Sequence, residues 1–152
     1  MSQSVDLLEK LRDTIAQNQE LQSYCQATFS KNATVFLGID EEEPPQQSEL
    51  PSIILFGIDR EKGASNRILY SIAVNIAIVD ESEAILGQDT KTLEGVSKIE
   101  NMLEFVENAV FANQPNLGKV DISGETLQRI FFPIFAIQTV IKIEKIKTSR
   151  GR

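Results

Sequence analysis

Residues Ile134–Lys147 read IFAIQTVIKIEKIK. Phe135, Ile137, Thr139, Ile141 and Ile143 fall on one face of an extended chain; Ala136, Gln138, Val140, Lys142 and Glu144 fall on the other. Successive side chains of a strand point to opposite sides, so this period of two predicts a strand with one buried face. Strands average about 5–6 residues, so this one is long. Arg67–Asp80 is a second long alternating run and the expected antiparallel partner. Its faces are unequal: Ile68, Tyr70, Ile72, Val74, Ile76 and Ile78 are large, while Ser71, Ala73, Asn75 and Ala77 are small. The large face is expected to fill a core against helices. The small face allows close approach of a second helix or of a neighbouring subunit's backbone. Two strands of this length are expected to run past their own core as a projecting ribbon, and unpaired strand edges recruit a second chain. The expected subunit interface is therefore Ser71, Ala73, Asn75 and Ala77 with Gln138, Val140 and Lys142.

Working back toward the N-terminus, Leu8, Leu11 and Ile15 recur at helical spacing, with Leu7 widening the stripe. Ser4 is placed to cap that helix, and Asn18 to cap a second one carrying Leu21, Tyr24, Cys25 and Phe29. Ala33–Ile39 reads as a short strand. Asp40–Leu50 holds Glu41, Glu42, Glu43, Pro44 and Pro45, a composition that predicts an exposed loop. Ser52–Ile58 reads as a strand, and Asp59–Asn66 as the turn back into Arg67. Asp80–Gln88 is a linker. Asp89 or Thr90 is placed to cap a long helix whose stripe is Leu93, Val96, Ile99, Leu103, Val106 and Val110. Lys119–Ile122 reads as a strand turning at Gly124 toward the terminal one, and Pro133 implies a bulge or an edge position. The fold class expected is α+β: a mostly antiparallel sheet with long strands and helices packed on one face.

At 152 residues, with 41% hydrophobic and 24% charged residues, the chain has the composition of one soluble domain. That domain is expected over residues 1–147, followed by a basic flexible tail at 148–152. Lys142, Lys145, Lys147, Arg150 and Arg152 cluster toward the end of the chain, either as a frayed terminus or as a docking tail for an acidic partner. No apolar run approaches the length of a membrane span, and the early Asp6, Glu9 and Asp13 do not fit a secretion signal. A single cysteine forms no internal disulfide, which fits a reducing cytoplasm. A net charge of −7 argues against binding to a phosphate backbone.

There is no histidine, which removes His-based catalysis and His-ligated metals. No phosphate-cradling glycine loop is present. Cys25 in an apolar helix reads as a small core residue. Asp40, Glu41, Glu42 and Glu43 have the right atoms for Ca²⁺ or Mg²⁺, but adjacent residues of an extended loop diverge; a solvated acidic loop is the better reading. No metal, cofactor or hydrolase activity is expected, and the chain reads as a non-enzyme.

Several segments together carry a family resemblance. They are a helix at the start, LGID at 37–40, ELPSIILFGIDRE at 49–61, RILYSIAVNIAIVDE at 67–81, TLEGVSKIENMLEFVENAV at 92–110 and FPIFAIQTVIKIEK at 132–145. This order of elements, spanning Leu7 to Lys147, resembles the tail-terminator and neck (tail-completion) proteins of long-tailed bacteriophages and prophages. The resemblance rests on element order and hydrophobic pattern rather than on invariant motifs, so it transfers no functional residue. It implies a structural homo-oligomer, commonly a hexameric ring, that caps the tail tube and meets the head-tail connector. DNA would pass through the ring without specific binding, and Asp40–Glu43 would line the lumen or face an axial partner. The site of action would be the host cytoplasm during assembly and then the virion tail. Two other classes compete: a generic α+β binding or oligomerisation module unconnected with phages, and a carboxylate-dependent enzyme. Flanking capsid, portal and tube genes would discriminate the first from the others.

Overall fold

The computed structural model describes residues 3–38, 46–63, 66–85, 91–122 and 127–146. Residues 1–2, 39–45, 64–65, 86–90, 123–126 and 147–152 lie outside the described set, and with them fall Asp40, Glu41, Glu42, Glu43 and the basic tail. The protein is α+β, with a mostly antiparallel sheet and helices on one of its faces. Two helices open the chain, α1 (Gln3–Ala16) and α2 (Gln19–Phe29). Asn18 separates them as expected: its side chain accepts from the Leu21 backbone N–H at 2.9 Å. Helix α1 already includes Ser4, which therefore sits inside the first turn rather than capping it. Leu7, Leu11 and Ile15 are the fully buried positions of α1, while Leu8 packs at the margin.

The sheet comprises β1 (Thr34–Leu37), β2 (Ser52–Lys62), β3 (Arg67–Val79), β6 (Lys119–Ile122), β7 (Leu127–Phe131) and β8 (Ile134–Ile146). Two further strands, β4 (Glu83–Ile85) and β5 (Lys91–Leu93), form a separate small ladder. The main order is β1-β2-β3-β8-β6, with β7 also on β8. The two long strands pair in one unbroken antiparallel register from Arg67↔Ile146 to Val79↔Ile134. Along β3 burial alternates without a break: Ile68, Tyr70, Ile72, Val74, Ile76 and Ile78 are all buried. Phe135, Ile137, Thr139, Ile141 and Ile143 do the same along β8.

The projecting ribbon is not what forms. β3 lies between β2 and β8, and β8 lies between β3 and the pair β6 and β7, which share its outer edge in series. Two differences from the sequence reading cause this. β2 continues through Asp59, Arg60, Glu61 and Lys62, so these charges are strand rather than turn. A seventh strand, β7, precedes β8, and Phe132–Pro133 is the tight turn between them rather than a bulge. The outer edge of β2 beyond Leu55 has no described strand against it. There a register shift between Phe56 and Asp59 and a run of four charges disfavour edge pairing.

Helix α3 (Glu94–Ala112) crosses the centre of the sheet, contacting β3 and β8. Leu93 is its N-cap and makes no side-chain capping bond, while Asp89 and Thr90 lie outside the described residues. Ile99, Met102, Val106 and Val110 are fully buried, and Leu103 retains 8% exposure. Leu103→Ala is expected to cost about 2–3 kcal/mol, the low end of the range for such truncations, because that residual exposure lets water relieve part of the void. Urea unfolding would measure it, and a cost within the scatter of surface substitutions would show the stripe is not core. The short helix α4 (Gln114–Leu117) then leads through Gly118 into β6.

Candidate functional site

One face of the sheet carries α1, α2 and α3; the other carries no described helix. The residues expected to form a subunit interface all lie on this second face. The register places Ser71 opposite Lys142, Ala73 opposite Val140 and Asn75 opposite Gln138, with Ala77 opposite Ala136. Ser71, Ala73, Asn75 and Ala77 are half-buried and Gln138 is exposed. The small residues make a shallow trough along β3, so a second surface can approach the backbone closely. Ser52 and Ile54 share this face by register but are buried, so the trough opens away from β1. The Oδ1 atom of Asn75 is buried and accepts no hydrogen bond among the described residues. An acceptor buried without a partner costs about 1–3 kcal/mol.

The face is polarised along the strands. At one end Lys119 lies opposite Glu144 and Asp121 opposite Lys142, and Arg67 reaches Glu144 at 3.5 Å. At the other end Val79 faces Ile134, and Arg129 and Phe131 flank Ala136 and Ile134. Beyond it the β7–β8 turn exposes three consecutive apolar residues: Ile130 at 44%, Phe131 at 75% and Phe132 at 48%. The sequence reading missed them. Part of their signal was present, since three adjacent large apolar residues in a strand must straddle both faces, and burying them all requires cover on both sides.

Elsewhere the chemistry is sparse. Among the described residues no group of three or more His, Cys, Asp or Glu converges as a metal site. Asp80, almost fully buried, takes Lys98 Nζ at 3.1 Å and the Ser82 backbone N–H at 3.3 Å on one oxygen. The Asp80 backbone N–H donates to the Pro133 carbonyl at 2.8 Å, so this cluster ties β3, α3 and the β7–β8 turn together. Burial and the nearby Lys10 hold the Lys145 amine below the usual lysine value. No described helix is long and apolar enough to cross a membrane.

Cys25 is fully buried, and burial pushes its thiol up to about 11. A raised pKa in the folded state stabilises the fold fully below the ordinary value of 9.0 and is lost as pH rises through about 11. Between these values stability is expected to fall more steeply in the wild type than in Cys25→Ala, read from urea midpoints across that range. Ellman's reagent should label Cys25 only after unfolding. Equal alkaline slopes for both proteins would show that the thiol is not the titrating group.

No family model matches this chain, and no curated protein matches its sequence.

Proposed function

We propose that this protein is a structural, ring-forming component of the phage tail-terminator and neck type, capping a tail tube and joining it to the head-side connector. The observation that carries the reading is the second face of the sheet. Six strands offer a broad surface with a stripe of small residues along β3 and an apolar rim at Phe131, with no described helix over it. Exposed apolar area of this kind marks surfaces that meet other proteins. The chain's acidity, with a sequence pI of about 4.7, suits a channel that lets DNA slide rather than grips it. The ring would assemble in the host cytoplasm and travel in the virion tail, and the protein would act without catalysis or cofactor.

Light scattering after size exclusion is expected to give a multiple of the 16.9 kDa chain mass, six-fold for a hexamer, with annular particles in negative stain. A strictly monomeric protein at micromolar concentration, with no change on addition of a tube protein, would overturn the reading.

A further inference from the structure

We propose that the β7–β8 hairpin of one subunit inserts Phe131 into the groove between α2 and α3 of a second copy, with Arg129 meeting Glu104 at its rim. This rests on the ring reading above and names the contact that would close it. The hairpin tip is a rigid knob. Phe132 packs edge-on against the buried Phe135 at 6.5 Å, which holds the turn, while Phe131 projects from the next position. An exposed aromatic carried on an ordered turn is a common interface anchor. Arg129 is the only charged residue in the stretch 127–136.

The groove answers both features. It is lined by Tyr24, Phe105, Asn101, Asn108 and Glu104. The rings of Tyr24 and Phe105 stack 5.0 Å apart and are half-buried, so they present apolar faces at a wet surface. No basic residue lines it. Glu107, one turn along α3, is held above the usual carboxylate range by burial and then by Glu104, so the rim has an excess of negative charge. An arriving guanidinium relieves it.

The knob and the groove lie on different sides of one chain, since the register places Arg129 and Phe131 beside Ala136 and Ile134 on the sheet face away from the helices. The Asp80 backbone bond to Pro133, and the Glu94 N–H bond to Ser82, fix the turn and the start of α3 at the same end of the molecule. Asn101 lies seven positions after Glu94, roughly 10 Å along the helix at about 1.5 Å per residue. A knob and a hole on different surfaces of one chain make a head-to-tail contact, which closes into a ring or runs on as a filament.

The test uses the full chain. Phe131→Asp and Arg129→Glu, checked for native fold by circular dichroism, are each expected to raise the concentration at half-dissociation by about tenfold or more. Arg129→Glu combined with Glu104→Arg should recover most of that loss. Mixing Arg129→Cys with Glu104→Cys under mild oxidation should give an intersubunit disulfide that is absent from either variant alone; the buried Cys25 does not compete. A wild type that is oligomeric, with unaffected variants and no cross-link, overturns this contact and leaves the ring reading standing. Loss of assembly in Phe131→Asp without charge-swap rescue or cross-link overturns the groove as the receptor, pointing to the open sheet face or another protein instead. A wild type that is monomeric overturns both.

Discussion

Phe135→Ala is expected to lower the unfolding free energy by about 3–5 kcal/mol, the usual cost of removing a fully buried aromatic ring. Small domains carry only about 5–15 kcal/mol in total, so this single change would leave a marginal protein. The ring sits at the start of β8, opposite Ile78, and fills the gap beneath the first turn of α3. Its neighbour there is Gly95. A Cβ built on Gly95 would lie 2.3 Å from the nearest ring carbon of Phe135, closer than atoms can approach. The first turn of α3 can rest on the sheet only because that position has no side chain. Gly95→Ala should therefore cost about 1–3 kcal/mol from overpacking, partly offset by about 1 kcal/mol of improved helix propensity. The two sites are in contact and should not add: Gly95→Ala with Phe135→Leu is expected to be less damaging than the sum of the single changes. Denaturant titrations of the four proteins measure this. Strict additivity would mean that the glycine is tolerated rather than required.

The long strands were legible because each has a face buried along its whole length, which forces a period of two into the sequence. β3 and β8 were placed as partners for that reason, and the register bears it out from end to end. The stripe of α3 was legible on the same logic. Gly95 was not, since a glycine inside a helical pattern reads as a weakness until the ring beneath it is known. β7 was also hidden. Its residues Gln128, Arg129 and Ile130 show no clean alternation, because Gln128 spans to the Val96 carbonyl at 3.2 Å while Ile130 stays partly exposed. Pairing with β8, rather than its own pattern, makes it a strand. The charges Asp59–Lys62 misled for the opposite reason. They alternate as a turn would, yet sit at an exposed sheet edge where solvent reaches both faces.

These errors bear on assembly. Bare strand edges predict a partner chain for β3 and β8, but β2, β6 and β7 of the same chain pair with those edges. The small residues Ser71, Ala73 and Ala77 do share one half-buried face of β3, opposite the buried face. Residue size reports what a face can accommodate, whereas edge exposure depends on distant segments that a local pattern does not contain. The apolar hairpin tip belongs to the second kind of fact, since it exists only because β7 and β8 turn on Phe132–Pro133.

Gly118→Ala is expected to destabilise the fold by about 2–4 kcal/mol, and to do so at the sheet edge rather than in the core. Gly118 adopts φ 120° and ψ −177°, a region that side chains other than glycine rarely enter. A Cβ there would also lie 2.7 Å from the Glu144 carbonyl oxygen and 3.1 Å from Ile143 Cγ2. The first of these atoms belongs to the backbone of β8 and cannot swing aside. Leu117, buried just before it, and the bond from the Val120 N–H to Gln114 Oε1 at 3.0 Å fix the chain on either side. The strain must then be released by lifting β6, which covers the outer edge of β8 from Ile141 to Glu144. Hydrogen exchange should show lost protection in β6 and in the β8 amides facing it, with β3 unaffected. An uncovered edge recruits other chains, so the variant should also aggregate faster on warming. Gly63→Ala is the control: its Cβ would meet nothing closer than 3.7 Å, and it should be close to neutral. Equal stability of the two variants would mean that β6 accommodates a side chain at its entry, and that the seal on the β8 edge depends on its cross-strand pairs alone.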